Sequence, residues 1–99
     1  MSRFSVHANP EGPGYLLDVQ ANLLSHLNTR MVVPLLPQGT APAPAQTLNP
    51  VFVVEGVACV MVTQFMAAVP LKMLTSQVLS VEDRAHEVVA ALDCLFQGV

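Results

Sequence analysis

The sequence predicts a mainly β protein, with antiparallel strands curled into a small barrel-like sheet and one C-terminal α-helix covering part of it. Three observations carry that expectation. Short apolar runs separated by Pro- and Gly-rich punctuation recur through most of the chain, which is the pattern of strands and turns. Glu55-Gly56 lies between two apolar runs, as a tight hairpin requires. Only the last segment switches to helical spacing, and strands followed by a single helix pack as a sheet with the helix on one side.

The elements follow in order. Phe4 and Val6 alternate with Arg3, Ser5 and His7, the period of a half-buried strand. Asn9-Pro10-Glu11-Gly12-Pro13-Gly14 is dense in turn formers and closes it. Tyr15 to Gln20 returns as a second strand, so the pair forms a hairpin with a long tip. Ala21 to Thr29 lacks alternation, although Leu23, Leu24 and Leu27 fit one helical turn. Arg30 to Leu35 reads as a strand around Met31, Val32 and Val33. Pro34 cannot donate a ladder hydrogen bond and marks an edge or the strand's end. Leu36 to Pro50 contains Pro37, Pro42, Pro44 and Pro50, which forbid a regular helix or central strand and leave an exposed loop.

Val51 to Thr63 is expected to be a hairpin turning at Glu55-Gly56, where Gly permits a positive φ. Phe65 to Leu74 offers another strand, interrupted at Pro70. The helix is expected from Val81 to Gln97, about 25 Å long at 1.5 Å per residue. Ser80 is placed to cap it, with Asp83 in capping-box position, and Glu82 and Asp83 complement its positive end. Val81, Ala85, Val88, Val89, Leu92, Leu95 and Phe96 recur on one face. Gly98 suits the position just past the end.

A chain of 99 residues is expected to be one domain, residues 1–99. Hydrophobic residues make up 53% of it, which argues against disorder. Net charge is −3 with only four Lys or Arg. Nucleic-acid affinity rests on cationic contacts to phosphate, so direct binding to DNA or RNA is disfavoured, as is an electrostatic membrane-surface role. Met1-Ser2-Arg3-Phe4 has no signal-peptide pattern. The apolar region Val51 to Leu71 is broken by Glu55, Gly56, Gln64 and Pro70, so no membrane span is expected and a cytoplasmic location is. Cys59 and Cys94 lie far apart, and in that compartment they read as reduced, buried hydrophobes.

No pattern in the chain calls for catalysis. His7, His26 and His86 lack zinc-like spacing. Asp83, His86 and Glu87 share a helical face, which reads as a solvated polar face before it reads as a metal site. No metal and no cofactor are expected, and the protein is not expected to be an enzyme. Asp18 is the lone acid in an apolar strand context. It is open to three readings: a general base, a structural hydrogen-bonding group, or a residue in a partner groove. Arg30 reads as a phosphate contact or as a solvated or ion-paired residue. Phe96-Gln97-Gly98-Val99 either finishes the helix and frays or forms a fixed projection held by it.

D-V-Q at 18–20, R-M-V-V-P-L at 30–35, L-x-P at 48–50, M-V-T-x-x-M-A-A-V-P at 61–70 and the terminal F-Q-G-V resemble the CcdB family of bacterial toxins in order and spacing. Arg84 sits where that family tends to carry an Arg early in its last helix. The resemblance spans nearly the whole chain. It implies an SH3-like antiparallel barrel with a C-terminal helix, and a homodimer. It further implies a type II toxin that binds the DNA-cleaving subunit of DNA gyrase while DNA is cut, neutralised by a CcdA-like antitoxin whose disordered segment folds on binding. Carried over by motif, the gyrase contacts are Leu23, Leu24, Asp93, Gln97, Gly98 and Val99. For the antitoxin, the resemblance implies a sheet edge lined by Leu16, Leu17 and Asp18, which read equally as part of a buried strand.

Two positions depart from the family. Gln97 stands where the family has a Trp that stacks on an arginine of gyrase, a contact worth about 0.5–2 kcal/mol. Asp93 stands in place of an Asn. These departures motivate an alternative, a CcdB-fold interaction protein that has lost gyrase poisoning. A further alternative is a MazF-like endoribonuclease on the same barrel, with Asp18, His26 and Arg30 as acid–base groups.

Overall fold

The computed structural model describes residues 2–98. It contains seven strands, β1 (Ser5–Ala8), β2 (Tyr15–Asp18), β3 (Thr29–Pro37), β4 (Val51–Val54), β5 (Val57–Met61), β6 (Ala67–Pro70) and β7 (Gln77–Ser80), followed by the helix α1 (Ala85–Gln97). The strands form one antiparallel half-barrel in the order β4-β5-β3-β2-β1-β7, and β6 pairs with β3 off that path. The expected fold class is therefore present.

The hub is β3, which pairs with β2 along one side and with both β6 and β5 along the other. Pro34 is consequently neither at an edge nor at the strand's end. Its carbonyl accepts from Val62 N at 3.0 Å, and the nitrogen and carbonyl of one strand residue face the same neighbour. The missing N–H therefore falls in the gap where the partner changes from β6, which covers Thr29 to Val32, to β5, which covers Leu35 to Pro37. Proline removes no ladder bond there.

The β4–β5 hairpin forms as expected. Val54 pairs with Val57, and Glu55 and Gly56 have φ of 50° and 80°, the double positive φ of a type I′ turn. Glycine adopts that geometry freely. For Glu55 it costs about 1–2 kcal/mol, and the Tyr15 hydroxyl holds the residue by donating to Glu55 Oε1 at 2.6 Å. Gly14 is required for a different reason. A Cβ there would lie 2.2 Å from the Leu35 carbonyl oxygen, at a φ of +84°.

β1 departs from the expected alternation, because it lies between β2 and β7 and Ser5, Val6 and His7 are all fully buried. His7 lies inside because both ring nitrogens have partners. Nδ1–H donates to the Thr75 carbonyl at 3.0 Å, and Nε2 lies 3.0 Å from Ser5 Oγ. Phe4, at φ 72°, precedes the strand. β7 is an element that the sequence does not announce, and a bulge at Val78 shifts its register against β1.

The helix begins at Ala85, after a 3₁₀ turn over Glu82–Arg84. Ser80 Oγ accepts from Glu82 N at 3.2 Å, but neither the turn, which Val81 precedes, nor the helix, which Arg84 precedes, has a side-chain cap, so the expected Ser80–Asp83 capping box does not form. Val88 and Ala91 carry the buried face and meet a core that includes Val6, Leu17, Val33, Leu35, Phe52 and Met61. Burying each of the larger side chains contributes roughly 1.5–3 kcal/mol. Phe96 leaves this face and is 69% exposed. Gly98 ends the helix in the left-handed conformation at φ 71°, its N–H donating to the Cys94 carbonyl at 3.1 Å, as the sequence suggests. Among the described residues, no helix is long and apolar enough to cross a membrane.

Candidate functional site

D-V-Q on β2 and R-M on β3 meet in one network. Arg30 Nε donates to Asp18 Oδ2 and Nη2 to Asp18 Oδ1, both at 2.9 Å. Both side chains are completely buried. Arg30 Nη2 also reaches the Gln20 carbonyl at 3.3 Å, and Gln20 N donates to Asp18 Oδ1 at 3.0 Å. Arg30 Nη1 is buried without a partner. A guanidinium and a carboxylate removed from water are tolerated only through such mutual pairing. The pair faces inward, so neither group presents an atom to an RNA phosphate. His26, the third group of the endoribonuclease alternative, is exposed and makes no hydrogen bond to either.

Gln20 extends the network outward. Its Oε1 accepts from Met31 N at 3.0 Å and its Nε2 donates to the Leu24 carbonyl at 3.1 Å. Beyond it, Asn22–Leu24 form a 3₁₀ turn inside a segment, 21–29, in which every residue is exposed. Leu23 shows 87% of its surface and Leu24 41%. Among the described gyrase candidates on the helix, Gln97 and Gly98 are exposed and Asp93 is half-buried. Val99 lies outside the described residues. Leu23 and Leu24 therefore stand together on one turn, while Asp93, Gln97 and Gly98 cluster at the helix end. No hydrogen bond among the described residues joins the two groups.

Leu16, Leu17 and Asp18 are at most 5% exposed. Leu17 belongs to the main core, and Leu16 packs with Val32 and Leu74 in a second cluster. In this chain their side chains offer no open surface, so their part in any antitoxin contact would be to support the sheet behind it.

A second network joins the L-x-P and M-V-T motifs. Asn49, buried, donates through Nδ2 to the Met61 carbonyl at 3.0 Å and accepts from Ala45 N at 3.0 Å, while Thr63 Oγ1 donates to the Leu48 carbonyl. This pins the end of the proline-rich loop to the sheet. A third tie fixes the helix. Arg84 grips the Glu87 carboxylate through Nε and Nη2 at 2.6 and 2.7 Å, donates through Nη1 to the Val51 carbonyl at 2.9 Å, and stacks 4.1 Å over the Phe52 ring. The guanidinium holds the Glu87 carboxyl below its usual range, and the Arg84 pKa is raised by the same contact.

Glu87 is thus engaged by Arg84 and not by a metal set with Asp83 and His86, and no cluster of three such donors exists among the described residues. Cys59 is buried, Cys94 is partly exposed, and both are free thiols; burial pushes the Cys59 thiol pKa up. The Glu55 carboxylate accepting its proton raises the Tyr15 hydroxyl to about 12. Gln20 and Asn49, which hold these surfaces in place, escape reasoning from residue type. Their only trace is that each sits within a motif, D-V-Q or L-x-P.

Fold and surface together define a small antiparallel half-barrel with one C-terminal helix, an exposed apolar turn and an exposed helix end. The chain belongs to the CcdB family: the family model described as CcdB protein matches residues 3–98. Membership supports a toxin of a toxin–antitoxin system. No curated protein matches the chain.

Proposed function

We propose that the protein is the toxin of a type II toxin–antitoxin pair that binds the DNA-cleaving subunit of DNA gyrase and traps the complex in which DNA is cut. The observation that carries this reading is the family match across residues 3–98. The exposure of Leu23, Leu24, Gln97 and Gly98 is consistent with their use as contacts, with Asp93 and Val99 completing the set. Covering an apolar side chain as exposed as Leu23 yields roughly 1.5–3 kcal/mol, which is available only when a partner arrives.

Such a poison works by differential binding. A ligand shifts a two-state equilibrium only by as much as it prefers one state. Moving gyrase from 1:99 to 99:1 in favour of the cleaved state takes about 10⁴-fold preference, about 5.5 kcal/mol. In this reading the active form is a cytoplasmic homodimer that touches gyrase and not DNA itself, as its net charge of −3 suggests. A CcdA-like antitoxin neutralises it through a segment that orders on binding, with β2 residues Leu16, Leu17 and Asp18 backing the contact.

Purified protein incubated with gyrase and supercoiled plasmid tests this. Linearised plasmid accumulates, and deletion of Gln97 to Val99 abolishes it while the protein stays folded and still melts cooperatively. Full cleavage by that deletion overturns the proposal. Gln97 favours a second reading, in which the fold persists as an interaction protein and poisoning is lost. Folded protein that arrests no growth in a sensitive bacterium, with activity regained in Gln97→Trp, selects this second reading.

A further inference from the structure

We infer that Gln20 is a positioning residue that presents the Leu23–Leu24 turn to its partner; the inference rests on the reading that this turn touches gyrase. Every residue from 21 to 29 is exposed, although Leu24 and Leu27 keep more than half of their surface covered, at 41% and 40% exposure, so packing alone does not set where the turn stands. Hydrogen bonds do. The segment's first half is tied by Arg3 N–H to Asn22 Oδ1 at 2.8 Å, and its far end by Leu71 N–H to the Asn28 carbonyl at 2.8 Å. Between them, the tie to β3 is the Gln20 amide, whose Nε2 donates to the Leu24 carbonyl at 3.1 Å.

Gln20 is itself held at every other polar atom. Its Oε1 takes the Met31 amide, its backbone N–H is on Asp18, and its carbonyl is on Arg30. The completely buried Asp18–Arg30 pair therefore fixes Gln20, and Gln20 fixes the turn. The Leu24 carbonyl already accepts from Leu27 N at 3.1 Å, so it does not need Gln20 for satisfaction. What Gln20 adds is location. A turn without it must be ordered on binding, and that ordering cost appears as lost affinity.

The test uses the full chain and the DNA-cleaving subunit of gyrase. Gln20→Glu keeps an acceptor for Met31 N and removes the donor that faces Leu24, whereas Gln20→Leu removes both. We expect Gln20→Glu to bind about tenfold more weakly, with faster amide exchange over residues 22–27 and an unchanged urea midpoint. Because Gln20 acts through the turn, adding Gln20→Glu to Leu23→Ala should weaken binding little further. A merely structural role would lower the midpoint and add fully to Leu23→Ala. Normal affinity in Gln20→Glu, with Leu23→Ala impaired, overturns the inference. Normal affinity in Leu23→Ala overturns the gyrase reading of the turn instead, and the exchange rates then still report whether Gln20 holds it.

Discussion

Replacing Asp18 by Leu should be among the most damaging single changes in this chain. Asp18 accepts both forks of Arg30 at 2.9 Å and the Gln20 amide at 3.0 Å. Its loss leaves a guanidinium with no exposed surface, one of whose nitrogens is already unpartnered. Removing one member of a buried pair costs about 3–5 kcal/mol, because the other charge stays buried and uncompensated. Domains are stable by only about 5–15 kcal/mol in total, and each kcal/mol moves the Tm of a chain this size by about 4–8 °C. Urea unfolding should show the full loss and the melt a fall of at least about 12 °C. The double variant Asp18→Leu/Arg30→Met removes both charges and should recover about 2 kcal/mol or more. A single-variant loss below about 1 kcal/mol would falsify the claim that the pair is sealed from water.

Four other outcomes are expected. Leu23→Asp should leave the urea midpoint within about 0.5 kcal/mol of the parent, because Leu23 is 87% exposed, yet abolish gyrase poisoning in the plasmid assay. Gly14→Ala should cost about 2 kcal/mol or more, since its Cβ would meet the Leu35 carbonyl at 2.2 Å; a parental melt would refute that contact. Glu87, its pKa lowered by Arg84, contributes stability above the ordinary carboxylate value that is lost as pH falls through the depressed one. Both partners are 36% exposed, so the effect is at most about 1 kcal/mol, and Glu87→Gln should flatten it. Tyr15 is the only tyrosine and there is no Trp, so alkaline absorbance reports it alone. Its midpoint should lie near 12, compared with the ordinary 10.0, and return toward 10.0 in Glu55→Gln; its stabilising contact persists below the ordinary value and is lost as pH rises through the raised one.

The parts legible in the sequence are those set by local chemistry. Glu55-Gly56 announces a tight hairpin turn, and the spacing of Ala85, Val88 and Leu92 announces a helix, although the expected start at Val81 is four residues early. Gly98 marks where that helix stops. What stays hidden depends on distant partners. Pro34 looks like a strand terminator until β5 and β6 are seen to share its side of β3. Gln77–Ser80 is too short to read as a strand without β1, seventy-odd positions earlier in the chain. Asp18 and Arg30 look equally like chemistry or support, and only their mutual burial decides. The motifs that carry the family resemblance turn out to hold the molecule together, as Asp18 with Arg30 and Asn49 with Met61 do. Leu23 and Leu24, by contrast, are exposed, and their fit to one helical turn does not by itself tell a contact surface from a solvated turn. Phe96 fits the apolar stripe by spacing, yet it is 69% exposed.

The pairing of β1 with β7 also governs the order of assembly. Ser5 to His7 find their outer neighbour only in Gln77 to Ser80, so a nascent chain cannot complete its sheet until those residues, seventy-odd positions later, have been made. Contacts so remote in sequence close slowly compared with helical ones. Synthesis therefore passes through an interval in which β1 has β2 beside it but its outer edge has no strand to pair with.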